Sequence, residues 1–460
     1  MKGFRGTLLL TLLFFILGLT VYFFEIKGVS EKQKQEEESK KVFIFKRENI
    51  ETLSVQFKGY PKIQFERFGE NKWNIKEPLE DEADIIKLNN IVSALFDLEK
   101  QRTLEEDDFK PQVFKLDDPE VEVWFKIAQD NHINHLKIGR KAASGASLYI
   151  QVEGEEKAYL VSTYLQSQLN KTAEEYRNKV VVSFLREDLK TLNIKKEGED
   201  IKLLKESDWK INEPLKTEAS QDSVNEFLGN LELLRAERFV QKKELKVNKK
   251  LFEVSLNDET KLIFSMEGPR FFIERAGRNK LDEVMELDKN KRNELYKDLF
   301  YFREKKIFNF DPILVTDFKI MEKGKEIFHL NKKEHEWFLN DQKLKKDRVL
   351  NFLNALSDVE VEKFIDSIKN LKDYGLLDPE KEIILKDHEG KEFLKILIGK
   401  NSRSFPHKAA GNSGNPESAA TLVYVKKQDK DSIYLVSKDF LNNLPKDIKE
   451  WLEVESPPRQ

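Results

Sequence analysis

The chain repeats itself, and that constrains its fold more than any other property. Trp73-Asn74-Ile75-Lys76-Glu77-Pro78-Leu79 returns as Trp209-Lys210-Ile211-Asn212-Glu213-Pro214-Leu215, with five of seven positions identical, and a worn copy follows at Trp337-Phe338-Leu339-Asn340-Asp341. Each Trp segment precedes an amphipathic stretch. Ile85, Leu88, Val92, Leu95 and Leu98 fall on one helical stripe, with Asp84 placed to cap it. Val224, Phe227, Leu228, Leu231 and Leu234 form the second stripe after Ser220 or Asp222. Val349, Phe352, Leu353, Leu356 and Val359 form the third after Asp347. A helix with one apolar face must lie on a sheet or on another helix.

The first and third copies also share their second halves. Leu116-Asp117-Asp118-Pro119-Glu120 matches Leu376-Leu377-Asp378-Pro379-Glu380, and Leu136-Lys137-Ile138-Gly139-Arg140 matches Ile396-Leu397-Ile398-Gly399-Lys400. Tyr159-Leu160-Val161-Ser162 recurs as Tyr434-Leu435-Val436-Ser437, while the middle copy lacks both the Ile-Gly-basic turn and this tail. Between the marks, Val121, Val123, Phe125 and Ile127 alternate with Glu122, Trp124 and Lys126, the period of a strand with one buried face. The expected class is therefore α+β: three tandem units of mainly antiparallel sheet, each with a packed helix, behind one amino-terminal transmembrane helix.

That helix is read from Thr7 to Phe24, TLLLTLLFFILGLTVYFF, a stretch without a charge. At about 1.5 Å per residue it reaches about 27 Å, enough to cross a bilayer. Lys2 and Arg5 precede it as in a targeting segment. Gly28-Val29-Ser30 offers a small-x-small cleavage site, but the apolar stretch exceeds a signal-peptide core, so a retained signal anchor is expected. The resulting plan is a cytoplasmic terminus (1–6), the span (7–24), a polar linker (25–41), unit 1 (42–178), a degenerate unit 2 (179–304), unit 3 (305–455) and a tail (456–460). The single-pass protein would sit in the inner, cytoplasmic membrane with its body on the periplasmic side.

Charge and composition narrow the chemistry. Lys plus Arg number 80 and Asp plus Glu 83, so no field of one sign exists to attract nucleic acid. The absence of cysteine excludes disulfides, thiolate metal sites, a cysteine nucleophile and a lipoprotein anchor. His132 and His135 are the only close histidine pair. On a strand they point to opposite faces and beside Asp130-Asn131 they read as a hairpin tip, so no metal site is expected. Gly399-Lys400-Asn401-Ser402 lacks the upstream glycine of a phosphate loop and reads as a glycine leaving a strand. The acid pairs Asp107-Asp108 and Asp117-Asp118 sit beside Pro111 and Pro119 and read as turns. The repeated tryptophans read as core anchors rather than a carbohydrate platform, and Ser402 to Ala420 as an inserted polar loop. No catalytic residue and no cofactor-binding residue is assigned.

The single anchor, the W-x-I-x-E-P-L segments before a capped helix, the L-x-I-G-basic turn and the Tyr-Leu-Val-Ser strand together resemble a family of bacterial proteins known only as a domain of unknown function. Its members are typically encoded beside an ABC transporter permease and a gliding-motility-type auxiliary component. The resemblance implies an extracytoplasmic accessory or scaffold protein at the inner membrane, partnered by those transporter subunits, and it transfers no catalytic residue. The alternative is a body that binds or hydrolyses an envelope polymer in a cleft between units.

Overall fold

A computed structural model of the chain describes residues 35–69, 72–105, 109–130, 132–246, 249–275, 281–402 and 421–453. Two compact units divide it, Met1–Val180 and Val181–Gln460. The first holds one nine-stranded sheet and the second holds two.

In the first sheet, β1 (Ile50–Phe57), β2 (Ile63–Arg67), β3 (Trp73–Glu77) and the short β4 (Asp81–Glu82) form a meander. A helix over Ile85–Phe96 then leads to β5 (Arg102–Leu104), and β6 (Val121–Ile127), β7 (Ile133–Lys141), β8 (Ser147–Val152) and β9 (Ala158–Ser162) form a second meander. The order is β4-β3-β2-β1-β6-β7-β8-β9-β5, with neighbours paired antiparallel, so the two meanders join at β1 and β6. The helix thereby links one edge of the sheet to the other. The second sheet, from β10 (Thr191–Lys196) to β18 (Glu283–Leu287), and the third, from β19 (Asp317–Glu322) to β27 (Ile433–Ser437), have the same order.

Burial follows the alternation. In β6 the side chains of Val121, Val123 and Phe125 are buried and those between them are half exposed. The helix sets Leu88, Ile91, Val92 and Leu95 into the same core as Phe65, Trp73 and Leu136. Twelve residues make a marginal helix alone; here each buried aliphatic side chain adds roughly 1.5–3 kcal/mol. Asp84 accepts hydrogen bonds from the Ile86 and Lys87 amides and starts the first helix, and Ser220 does so for the second (Gln221–Glu232) through Ser223 N. The third (Lys346–Ser357) begins after Lys345 without a side-chain cap, and Asp347, expected to be that cap, lies in its first turn.

Trp73, Trp209 and Trp337 are all buried at the start of, or within, the third strand of their sheets. Gln221 clasps Trp209 by accepting from its backbone N and donating to its carbonyl. Each copy ends on the same bridge back to the residue entering its helix: Ala83 with Arg177, Ala219 with Arg303, and Leu344 with Leu452. The peptides Glu77–Pro78 and Glu213–Pro214 are cis.

Two expectations are corrected. The α+β class expected for the body, three units of mainly antiparallel sheet each with a packed helix, gives way to three nine-stranded antiparallel sheets with one twelve-residue helix apiece. Strands of two or three residues, such as β4 and β5, carry no periodicity to read, so the sheets exceed what the alternation implies. The expected transmembrane helix is not among the described residues, none of whose helices is long and apolar enough to cross a membrane. The run Thr7–Phe24 lies outside the described residues, as do 403–420 of the polar loop, Asp107 and Asp108.

Candidate functional site

The helix covers one face of the first sheet; the other presents polar side chains. Across β6 and β7, Val123 lies opposite Leu136 on the core side, which puts Glu122, Trp124, His135 and Lys137 on the polar side. Here the residues form one connected group. His135 Nε2 is 2.7 Å from Glu122 Oε2, and its Nδ1 is 2.7 Å from Glu153 Oε2, in the turn after β8. The imidazole stacks on Trp124 at 4.6 Å between centroids and 14° between planes, and Lys62 Nζ lies 3.6 Å from the Trp124 ring centre. His135 is 8% exposed, whereas Glu122 is 29% and Glu153 59% exposed. The hydrogen bond from His135 holds the Glu153 carboxyl below the usual range. Burial lowers the affinity of Lys62 for its proton, against the opposing pull of Glu122.

The same diagonal pair stands in all three sheets. In the second, Val254 of β15 (Lys249–Leu256) faces Leu262 of β16 (Thr260–Glu267), and the adjacent Glu253 binds Lys261 at 2.9 Å. In the third, Ile383 of β24 (Lys381–Lys386) faces Ile396 of β25 (Glu392–Asn401), and Glu382 binds Lys395 at 2.9 Å. An acid on the sixth strand and a nitrogen side chain on the seventh thus clamp the central hairpin, with histidine in place of lysine in the first copy alone. Burial raises the Glu253 carboxyl, and hydrogen bonds from Lys250 and Lys261 overcome that and hold it low.

Beside His135 lies an open groove of about 560 Å³, whose walls include Glu38, Lys41, Ile44, Lys100, His132, Asn134, Val152, Glu153 and Glu155. Lys41 is turned onto the Phe96 ring and Lys100 onto Tyr159. Asn134 Nδ2 is buried with no hydrogen-bond partner.

Chemically, the His135 group is a bridge. Both ring nitrogens already face carboxylates, so neither is presented to a substrate as a base. Among the described residues no three His, Asp or Glu side chains converge as metal ligands. The histidine pair does not act together: His132 is an exposed turn residue whose amide bonds Asp130 Oδ1, while His135 points into the sheet's polar face. Reading the pair as one hairpin tip missed this; the signal was present in the alternation, since His135 is one residue from Leu136 and two from Lys137. Gly399 likewise does not leave a strand. It lies within β25, where a side chain would meet the Tyr374 carbonyl, as one at Gly139 would meet that of Phe114.

A family model described as Domain of unknown function (DUF4340) matches residues 73–250, 209–379 and 341–455. The chain belongs to the DUF4340 family. No curated protein matches it. Two of the DUF4340 matches begin on Trp73 and Trp209 and the third inside the worn Trp segment at Asp341. The first two run from the third strand of one sheet to about the sixth strand of the next, so the DUF4340 sequence unit is out of phase with the sheet it helps build.

Proposed function

We propose that this DUF4340 protein is a non-enzymatic accessory or scaffold protein, held at the inner membrane by its apolar run 7–24 with its body outside the cytoplasm. Its partners are the permease and gliding-motility-type auxiliary subunit of an ABC-type transporter. The observation that carries the reading is that one sheet architecture recurs three times with a carboxylate held by a nitrogen side chain, not a reactive constellation, at its repeated polar position. Burial of Trp73, Trp209 and Trp337 also supports it, since none of the three offers a ring to a polymer. Affinity purification from detergent with mass spectrometry tests it, comparing the intact chain with one lacking residues 1–41. Transporter subunits recovered with the intact chain alone support a tethered accessory; an envelope polymer retained by both forms, with no transporter subunit, overturns it.

A further inference from the structure

We propose that Glu122, His135 and Glu153 form a pH-operated latch that fastens the turn after β8 to the polar face of the first sheet and thereby sets one wall of the adjoining groove. The number of N–H donors limits this arrangement. Carboxylates only accept, and a neutral imidazole has one N–H. Two 2.7 Å contacts from opposite ring nitrogens to two carboxylate oxygens are both satisfied by an imidazolium. Loss of one proton leaves one N–H for two acids, and one carboxylate must let go.

Position decides which one. Glu122 lies within β6, paired on both sides by β1 and β7. Glu153 is the more exposed of the two and stands in a turn, followed by Gly154 at φ +86°. Among the described residues, the charged groups at the ring and its carboxylates come from three elements. Glu122 comes from β6, Lys137 from β7 with its Nζ 3.8 Å from Glu153 Oε1, and Lys62 from the approach to β2, on Trp124. Trp124 contributes the face of its ring, which favours a cation stacked on it. Freed from the ring, Glu153 keeps only the long contact to Lys137 and moves with the groove wall it lines.

The other sheets supply the control. There the acids equivalent to Glu122 are held by Lys261 and Lys395, and an ammonium has donors to spare for one carboxylate. At this position the first copy alone carries an imidazole, a ring with one N–H when neutral and two when protonated.

Hydrogen exchange by mass spectrometry on the full chain in detergent, corrected for intrinsic exchange, reads the latch. The Glu153 amide, which donates to the His135 carbonyl at 3.0 Å, is the reporter. Protection across 149–158 should fall by about tenfold or more from pH 5.5 to 8, the size of one charge-assisted hydrogen bond. Peptides around Lys261 and Lys395 should show no such step. His135→Lys should keep the turn protected at both pH values, and Glu153→Gln, a milder change, should leave it loose at both. A flat wild-type profile, or a step that persists in either variant, overturns the latch.

Discussion

The guanidinium of Arg303, the last residue of the second copy's closing turn, forks onto both carboxylate oxygens of Asp366 in the third, at 2.7 and 3.1 Å. It also lies 3.6 Å from the Phe364 ring centre and is 3% exposed. Backbone pairing continues the joint, with Val361 N donating to the Lys305 carbonyl. The two sheets of the second unit are thus fastened by an ion pair whose cation is buried on an aromatic floor and whose acid is 35% exposed. Removing the acid leaves the buried cation to water reached through the exposed side, so Asp366→Ala should destabilise the second unit by roughly 1–3 kcal/mol. Arg303→Lys should also weaken the joint, because an ammonium cannot fork. Denaturant unfolding followed by a probe in the third sheet checks both; unchanged midpoints would mean the joint contributes nothing.

Three glycines separate tight packing from free space. A Cβ on Gly139 would come 2.2 Å from the Phe114 carbonyl oxygen, and one on Gly399 the same distance from that of Tyr374. Both obstacles are backbone, and neither can yield without moving the short helical turn above the strand. Gly139→Ala and Gly399→Ala should each cost about 1–3 kcal/mol. Gly229 is the opposite case. Its Cβ would meet only Arg186 Nη2, at 3.1 Å, the end of a half-exposed side chain. Gly229→Ala in mid-helix should stabilise by up to about 1 kcal/mol. Thermal midpoints of the three variants would order them.

These residues show how far the sequence could be read. The repeat, the three helices and the buried tryptophans were legible because each is a periodic or large apolar signal. So was the Asp84 cap. The true extent of the sheets was not, because strands as short as Asp81–Glu82 take their identity from a neighbour, not from a pattern of their own. The closing bridges set an arginine against an alanine in the first two copies, at Arg177 and Arg303, but Leu452 against Leu344 in the third, so only geometry reveals that all three are equivalent. The His135 group was half visible: the alternation assigned Glu122 and Trp124 to the polar face, but Glu153 joins them from another hairpin.

Acid should erode stability in a defined direction. Hydrogen bonds from Arg186 hold Glu232 below the usual carboxylate range, and those from Arg270 and Arg238 hold Glu286 there against the opposing effect of burial. A carboxyl with a depressed folded-state value adds stability that is full above its unfolded value, about 4.3 for Glu, and is lost as pH falls through the folded one. These pairs should therefore add nothing to the pH dependence above about pH 5.5 and should weaken the second unit progressively below about pH 4.5. Glu286→Gln should flatten that acid limb in equilibrium unfolding. An undiminished acid limb in this variant would exclude Glu286 as a source.

Trp337 tests whether the repeated tryptophans serve anything beyond packing. It is fully buried, and its Nε1 has no hydrogen-bond partner. An unsatisfied buried donor costs about 1–3 kcal/mol. Trp337→Phe removes that donor along with some volume, and the two effects oppose each other, so the variant should stay within about 1.5 kcal/mol of the parent. Trp337→Ala opens a cavity at the start of the third core and should cost roughly 3–5 kcal/mol. If the residue only packs, partner recovery by the Phe variant should equal that of the parent, and any loss with Ala should track the folded fraction. Partner recovery that fell with Phe at unchanged stability would place the indole in recognition instead.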